Sequence, residues 1–524
     1  MCVVRVVELE ARYINWHAHG GSTHPKMLPA LLRRDTLSTL HSPVDAPVGQ
    51  DYSGCDVRPD VMKKPSPPSW PVSMLPRPLA ALALRAQSLL IPPIVNFARS
   101  TVLEVLKRVE TGRLLVIDAD GKTTVCGHFI AAEGEPCTEL RILNEVFWLR
   151  VLLFADMVGL DSLEDNDCPS AMVLTNDGLQ GFAESYMLGD FSCSDLVAFF
   201  RIFIVNRESL SNATTLTSSL SSALSNIARG TNTLANAQLN ISAHYDISNT
   251  MFAAFLSRDM TYSCPIWRPS SDGRGHEETL EEAQERKLQY FIAEARLQAS
   301  DHVLEIGTGW GSFAIAAVQS TGCRVTTLTL SREQKELAEQ RIADAGLSDR
   351  IHVLLCDYRA HQPPSEGFYD KVISIEMLEA VGREFLSTYF SCVDRLLKPV
   401  GGIAVFQCIT MPECRYEAYS KGQDFIRKYI FPGGHLPTVS QLVQNIEAGS
   451  KGTLVVDNLR NIGGHYAKTL RMWRNSFESQ FASKIKPALL AEHPDGNMSE
   501  KDVEVFRRKW QVSHPLTMPI ICFS

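Results

Sequence analysis

The sequence predicts an α/β fold in which a doubly wound, mostly parallel sheet follows a smaller N-terminal α/β domain. Strand-like and helical segments alternate from about residue 236, a glycine-rich turn follows the first of these strands, and 524 residues are too many for one ordinary core. Such alternation is typical of parallel sheets, because each crossover between parallel strands needs a connecting element such as a helix. The predicted strands are His302–Ile306, Arg324–Leu328, His352–Leu355, Lys371–Ile375 and Gly402–Gln407.

Changes in composition divide the chain. Residues 1–75 are rich in Pro, His and Ser and are predicted to be a disordered tail. Residues 76–207 form the smaller domain, with a helix at Leu103–Val109 and a strand at Arg113–Asp118. Residues 208–235, rich in Ser, Thr, Asn and Ala, are predicted to be a linker, although their Leu and Ala spacing also allows a helix. The larger domain covers 236–511, and 512–524 form a C-terminal tail.

Composition is that of an ordinary globular protein, with 45% hydrophobic residues, 21% charged residues and a formal net charge of −8. No global basic charge attracts nucleic acid. The 13 cysteines form no C-x-x-C pair and no Cys/His cluster with zinc spacing, so we expect no metal site and a reducing compartment. No secretory signal or bilayer span is predicted. We therefore expect a cytoplasmic protein that contacts membranes only peripherally.

A glycine-rich turn connects the strand at His302–Ile306 to the predicted helix Ser312–Gln319. Glycine lets the backbone turn tightly and approach a ligand, while the helix N-terminus presents free N–H groups. The spacing is G-x-G-x-G with Glu305 before it, whereas a dinucleotide site has G-x-G-x-x-G. We therefore predict S-adenosylmethionine rather than NAD as the cofactor. The glycines are Gly307, Gly309 and Gly311.

Several blocks, in matching order, resemble the cyclopropane fatty-acid synthases and the mycolic acid cyclopropane synthases. They are His244–Asn249, Met260–Cys264, Leu304–Gly311, Thr329–Gln334, Glu376–Gly382, Tyr429–Gly434 and His465–Leu470, with Gly181–Asp190 resembling the N-terminal domain of full-length members. The resemblance covers about residues 100–510. It implies an S-adenosylmethionine-dependent methyltransferase that acts on the double bond of an unsaturated phospholipid acyl chain and forms a cyclopropane fatty acid. It also implies a lipid-synthase domain at 76–207 and a homodimer.

The same resemblance implies two sets of site residues. The cofactor would be bound by the three glycines together with Tyr262, Ser263, Glu305, Thr329, Leu330, Gln334, Asp357 and Tyr358. The family also holds a bicarbonate ion beside the transferring methyl group, and its ligands would be Cys264, Glu379, Gln407, Ile409 and Tyr466.

This chemistry needs a base. An alkene that attacks the sulfonium methyl group becomes a carbocation, and ring closure then requires loss of a proton from the new methyl group. By resemblance, bicarbonate is that base, with Glu379 accepting its O–H while Tyr466 and an N–H near Cys264 donate to it. Aromatic faces can stabilise the cation, and the pocket must exclude water. The candidate aromatic residues are Tyr245, Trp267 and Tyr429.

Each of these residues also has a structural interpretation. Glu379 could be a helix N-terminal carboxylate, Cys264 a small buried hydrophobe, and Tyr466 a buried tyrosine whose hydroxyl is satisfied. A basic rim would suit a phospholipid headgroup, although such a run of charge is also typical of a solvated helix face. The rim candidates are Arg415, Lys421, Arg427 and Lys428.

The sequence departs from the family at two places. Gln407 stands where bacterial members have His, although plant-type members also resemble this Gln form, and Gln cannot change charge. After Phe506–Gln511, full-length relatives continue with a helix and a final strand, whereas Pro515 and Pro519 here disfavour both. We therefore expect a short sheet and an open pocket wall. Two alternatives follow: a C-methyltransferase that acts on another small molecule or adds a methyl branch to a lipid, or a non-catalytic homologue that binds cofactor or lipid.

Overall fold

The computed structural model describes residues 2–10, 93–154, 176–211, 248–269, 277–365, 367–421, 424–493 and 498–522. All of these described residues belong to one compact unit. The predictions for His244, Tyr245, residues 212–235 and residues 11–75 lie outside the described residues. Within the described part of the chain, no helix is both long enough and apolar enough to cross a bilayer.

The N-terminal part contains strand β1 and a small α/β layer. Its elements are β1 (Cys2–Glu10), α1 (93–106), β2 (Arg113–Ile117), β3 (Thr123–Gly127), β4 (Cys137–Ile142), α2 (Val146–Phe154), α3 (Asn176–Leu188), β5 (Phe191–Cys193), α4 (Leu196–Val205) and α5 (Arg207–Ser211). Strands β2 to β5 form a mixed four-stranded sheet in the order β3–β2–β4–β5. The helices cover this sheet and form an aromatic core with it. In this core the ring centroids of Phe182 and Phe199 are 5.2 Å apart.

The C-terminal part alternates strands and helices as predicted. Its elements are α6 (Asn249–Phe255), α7 (Leu280–Glu294), β6 (His302–Ile306), α8 (Ser312–Thr321), β7 (Arg324–Thr329), α9 (Arg332–Asp344), β8 (Ile351–Leu355), β9 (Lys371–Ile375), α10 (Leu386–Leu396), β10 (Ile403–Thr410), α11 (Glu413–Lys421), α12 (Phe425–Tyr429), α13 (Val439–Ser450), β11 (Leu454–Asn461), α14 (Tyr466–Gln480), α15 (Lys486–Ala491) and α16 (Glu500–Cys522).

A seven-stranded sheet organises this part, in the order β11–β1–β10–β9–β6–β7–β8. Every pairing in it is parallel. Alternate residues point to opposite faces of a strand, and on β10 Val405 joins one hydrophobic core while Phe406 joins the other. The sheet is therefore buried on both faces, and the predicted doubly wound fold is confirmed.

The prediction that residues 1–75 are entirely a tail is wrong at its beginning. Residues Cys2–Glu10 form β1, which lies between β10 and β11 and is parallel to both. A strand in that position donates and accepts backbone hydrogen bonds on both sides, which stabilises a nine-residue segment that is too short to be ordered alone. The large sheet is therefore not short of a strand, as had been expected from the C-terminal sequence.

The prediction of a C-terminal tail at 512–524 is also wrong, because α16 continues to Cys522. Pro515 and Pro519 lie within this helix. The φ of proline is compatible with a helix, and proline lacks only the N–H that would bond to the preceding turn, so a helix that packing stabilises can contain it. The packing is extensive before the prolines, where Phe506 and Trp510 are buried among residues of the large core.

One close helix contact gives a stability prediction. Helix α13 crosses α10 at Gly449, where an added methyl group would lie 2.9 Å from the Cβ of Phe390 and closer still to the carbonyl oxygen of Ser387. Backbone atoms cannot move aside cheaply, so we expect Gly449→Ala to lower the free energy of unfolding by about 1–3 kcal/mol. Denaturant unfolding measures this. The control is Gly464→Ala, which meets nothing within 4 Å and should change stability much less.

Candidate active site

The glycine-rich turn lies at the carboxyl end of β6 and leads into α8. Gly307, Gly309 and Gly311 have φ values of 105°, 51° and 86°, a region that side chains disfavour. A methyl group at Gly307 would lie 3.4 Å from the Cβ of Met377, and one at Gly311 would lie 3.4 Å from the Cβ of Ala338. At Gly309 an added methyl group would meet nothing within 4 Å, so the turn is a glycine cradle with open space at its centre, of the kind that approaches a nucleotide-like ligand.

Glu305 precedes this cradle on β6 and is almost fully buried, with 4% of its surface exposed. Burial raises its pKa to about 8, against the lowering influence of a hydrogen bond from Thr327 and the charge of Lys287. Its Oε2 has no hydrogen-bond partner within the described residues. A buried acceptor without a donor is costly, so this atom fits a ligand that donates a hydrogen bond.

The neighbouring strands bring the other predicted cofactor residues to the same edge of the sheet. At the end of β7, the Thr329 hydroxyl donates to Gln334 Oε1 at 2.9 Å, and Leu330 is 73% exposed. After β8, Asp357 accepts from the Arg359 guanidinium, which lowers its pKa, and the ring of Tyr358 packs on Tyr389. Because parallel strands end together, residues far apart in the chain meet here.

The segment Tyr262–Cys264 borders the carboxyl edge from the other side. Tyr262 packs against Phe252 and Trp473, with centroid separations of 5.1 Å in both cases. The Ser263 hydroxyl accepts a hydrogen bond of 2.6 Å from Lys287, a fully buried lysine. Burial lowers the pKa of Lys287 to about 8, while nearby carboxylates led by Glu376 act to raise it. A cation is thus fixed beside the acidic residues described next.

Two glutamates hold most of the groups that were predicted to be catalytic. Glu376 Oε1 accepts from the Cys264 N–H at 2.8 Å and from Gln407 Nε2 at 2.7 Å. Glu379 Oε1 accepts from the Ile409 N–H at 2.6 Å. The structure therefore brings Cys264, Glu379, Gln407 and Ile409 together beside β9 and β10. It also adds Glu376, which the sequence did not single out as a site residue.

Burial and mutual repulsion disfavour two negative charges in this place. The pKa of Glu379 is raised to about 8, first by desolvation and then by the charge of Glu376. Desolvation also raises the pKa of Glu376, although its two N–H donors and Lys287 act in the opposite direction. Glu376 has the larger set of groups that stabilise a negative charge. At neutral pH we therefore assign the charge to Glu376 and the proton to Glu379.

A cavity of about 620 Å³ opens from these glutamates. Tyr466, at the start of α14, is 8% exposed and borders it, and burial and Glu376 raise the pKa of its hydroxyl well above 10. The tyrosine is therefore a neutral hydrogen-bond donor. Trp510 and Ser513 of α16 also line the cavity, so the C-terminal helix supplies the wall that was expected to be missing. The other aromatic lining residues are Tyr262, Tyr419, Phe431 and Trp473.

Two of the predicted cation-stabilising aromatics do not line this cavity. The hydroxyl of Tyr429 donates to the buried Glu184 of α3 at 3.0 Å, so its polar end faces the smaller domain. The indole N–H of Trp267 donates to Thr469, and Lys468 lies 4.1 Å above its ring. Both residues are structural because the folded chain gives them partners that the sequence could not indicate.

The predicted basic rim is replaced largely by ion pairs. Lys428 pairs with Glu184 at 2.9 Å, Lys421 with Glu417 at 2.6 Å, and Arg427 with Asp424 at 2.7 Å. Arg427 also lies 4.0 Å above the ring of Tyr419. Three of the four candidates are therefore neutralised locally, and they provide little net positive charge for a headgroup.

A parallel sheet that presents a glycine turn and a pair of half-buried carboxylates at one edge, beside an apolar cavity, is the architecture of a Rossmann-like methyltransferase. The family model for mycolic acid cyclopropane synthetase matches residues 232–491. The chain is 38% identical over 352 residues to the tuberculostearic acid methyltransferase UfaA1 of Mycobacterium tuberculosis, a match that covers 64% of this chain and 74% of that protein. The chain therefore belongs to the cyclopropane synthase family and is an enzyme of the methyltransferase type.

The chain is also similar to a second curated enzyme and to a solved structure. The cyclopropane-fatty-acyl-phospholipid synthase of Escherichia coli K12 is 30% identical over 359 residues, which cover 66% of this chain and 78% of that enzyme. The solved structure is that of the mycolic acid cyclopropane synthase CmaA1 complexed with SAH and CTAB, which is 26% identical to this chain. The match covers 54% of this chain and 94% of the CmaA1 chain, with a TM-score of 0.42.

Proposed function

We propose that this enzyme transfers a methylene or methyl unit from S-adenosylmethionine to the double bond of an unsaturated phospholipid acyl chain, forming a cyclopropane fatty acid. The observation that carries the proposal is the cavity, which joins an aromatic and apolar lining to Glu376 and Glu379. An acyl chain needs an apolar channel, and a carbocation needs aromatic faces and a base without bulk water.

The carboxyl edge of β6 to β8 supports a site for S-adenosylmethionine. The glycine cradle fits a ligand with acceptors for backbone N–H groups, and the unpartnered oxygen of buried Glu305 fits a ligand that donates a hydrogen bond. We assign binding of S-adenosylmethionine to the cofactor residues predicted from the sequence, of which Tyr262 is the first in the chain and Tyr358 the last. When bound, S-adenosylmethionine supplies an electrophilic sulfonium methyl group.

The chain's own residues perform the remaining tasks. Tyr262, Tyr466 and Trp473 border the cavity, where their ring faces stabilise positive charge on the acyl chain. The phospholipid must reach the site from a bilayer, so the proposal includes peripheral membrane contact from the cytoplasmic side. A homodimer is likewise proposed on the resemblance alone.

The bicarbonate ion implied by the resemblance fits this site poorly. Three of its predicted donors are already used, because the Cys264 N–H and Gln407 Nε2 donate to Glu376 and the Ile409 N–H donates to Glu379. A further anion would also lie beside a carboxylate in a buried place. We therefore route no step of the reaction through bicarbonate.

A methyl-branched or methylene-branched lipid is the second candidate product. The same carbocation can lose its proton from another position, which gives an unsaturated branch, whereas a saturated methyl branch needs in addition a hydride from a separate reductant. The 38% identical relative is named a methyltransferase rather than a cyclopropane synthase, which favours this alternative over the remaining ones.

A product assay tests the proposal. We expect the purified protein, incubated with methyl-labelled S-adenosylmethionine and vesicles of monounsaturated phospholipid, to add one labelled CH2 unit to the acyl chain. Mass spectrometry detects the addition. A ring and a methylene branch have equal mass, so NMR of the released fatty acid separates them by the upfield ring protons. Vesicles of saturated phospholipid are the control and should remain unlabelled. Labelling of saturated lipid, or of no lipid at all, would contradict the proposal.

A further inference from the structure

We propose that Glu376 is the base of this enzyme, and that its carboxylate occupies the position that the resemblance assigns to bicarbonate. This inference rests on the proposed function, because it concerns the proton lost after methyl transfer. It adds a catalytic residue that belongs to the chain itself.

The first argument is the convergence of donors. The Cys264 N–H and Gln407 Nε2 reach a single oxygen of Glu376, at 2.8 and 2.7 Å. Both groups belong to the set predicted to bind the anion. A carboxylate has the charge and the planar pair of oxygens of bicarbonate, so the protein satisfies these donors with a side chain of its own. Glu376 also borders the cavity in which the acyl chain is proposed to lie.

The second argument is that the N–H donors and the cation in the same place already have partners. Within the described residues, the buried atoms of this set that have no hydrogen-bond partner are Glu379 Oε2 and Gln407 Oε1. Gln407 Oε1 can only accept, and the proton assigned to Glu379 gives its Oε2 one O–H to donate. The nearby cation, Lys287, already serves the carboxylate pair and Ser263. A free bicarbonate ion would therefore lie against the charge of Glu376, while the lysine and the N–H donors beside it are already engaged.

The third argument is the backbone. Glu376 follows β9 directly with a φ of +49°, a left-handed conformation that costs a non-glycine residue energy. Its N–H donates to the carbonyl of Gln407 at 2.7 Å, so the main chain and the side chain of Gln407 both fix it. Such strain persists where surrounding contacts hold a residue in place, and here those contacts aim a carboxylate at the cavity edge.

The chemical step balances without a further reactant. The alkene electron pair forms a bond to the methyl carbon, and the C–S bond breaks with its pair remaining on sulfur. A C–H bond of the new methyl group then breaks, its electron pair forms the second ring bond, and the proton passes to the Glu376 carboxylate. If the hydrogen of the methyl-bearing carbon first moves with its electron pair to the cationic carbon, loss of a proton from the methyl group to Glu376 gives the methylene-branched product instead. Desolvation raises the pKa of Glu376, which strengthens it as a base.

The experiment compares Glu376→Gln, which removes the charge, with Glu376→Gly, which also frees the donors and suits the left-handed backbone. In buffer purged of carbon dioxide, we expect the wild type to keep its full rate and both variants to lose at least about a hundredfold. Added bicarbonate should leave the wild type and Glu376→Gln unchanged and should restore Glu376→Gly at least tenfold. Glu384→Gln, an exposed glutamate of the same segment, is the matched control.

A binding measurement makes the inference independent of turnover. Carbon-13 bicarbonate, followed by NMR line broadening, should bind Glu376→Gly and not the wild type, while calorimetry with S-adenosylmethionine should show that each variant keeps its cofactor site. Saturable bicarbonate binding by the wild type, a tenfold loss of its rate without bicarbonate, or near-normal activity of Glu376→Gln would each overturn the proposal. If no lipid is modified, the proposed function fails, and the binding comparison still decides whether Glu376 replaces the anion.

Discussion

Glu379→Ala is expected to lower the rate of product formation by at least about a hundredfold. The substitution removes the carboxyl group that accepts from the Ile409 N–H at 2.6 Å and leaves that donor unpaired at the cavity edge. It also removes the neutral acid that lies next to the Glu376 carboxylate and leaves open space there. The rate of label transfer to phospholipid measures the effect, with binding of S-adenosylmethionine as the check on folding. A rate within tenfold of the wild type would contradict a catalytic role for Glu379.

Glu379→Gln then distinguishes the protonation states. If Glu379 works as the neutral acid, glutamine imitates it, and the rate at pH 7 should fall far less than in Glu379→Ala. The pKa of Glu379 is about 8, so the wild-type rate should decline as the pH rises through 8, where a second charge develops beside Glu376. Lys287 and Glu305 also have pKa values of about 8, and therefore only the part of the decline that disappears in Glu379→Gln belongs to Glu379. If Glu379→Gln were as inactive as Glu379→Ala, the working form of Glu379 would instead be the ionised carboxylate.

The second large effect is expected from Trp510→Ala. Trp510 is 1% exposed, and its ring stacks near Phe477 at 6.2 Å and lies 5.9 Å from Phe255. Removing it leaves a void between α16 and the helices of the catalytic part, so the free energy of unfolding should fall by about 3–5 kcal/mol. Denaturant unfolding followed by circular dichroism measures the change.

Trp510→Phe is the matched control, because it keeps an aromatic ring and should lose much less stability. Trp510 also lines the cavity, so the alanine variant should accept bulkier acyl chains at temperatures where it remains folded. A loss below about 1 kcal/mol for Trp510→Ala would mean that α16 contributes little to the core, and the C-terminal segment would then be a tail after all.

The sequence by itself determined the features that depend on local pattern. Hydrophobic runs alternating with helical segments predicted the parallel sheet, and the glycine spacing after β6 predicted the cofactor turn, because these signals lie within short windows. The resemblance indicated Cys264, Glu379, Gln407, Ile409 and Tyr466. In the structure Glu379, Ile409 and Tyr466 line one cavity, and Cys264 and Gln407 are hydrogen-bonded to Glu376 beside it. Their individual roles remain predictions.

Only the tertiary structure decided which residues meet across long separations. The pairing of β1 with β10 and β11 joins residues about 400 and about 450 positions apart, and no local pattern encodes such a partner. The partners of Tyr429, Trp267 and Lys428 were hidden for the same reason. The signal for Glu376 was present as a glutamate directly after a predicted strand, yet its importance depends on where the Cys264 N–H and the Gln407 amide point. Hydrogen-bond direction is a property of the folded backbone, so the acidic pair and its division of charge emerge only when three distant segments converge.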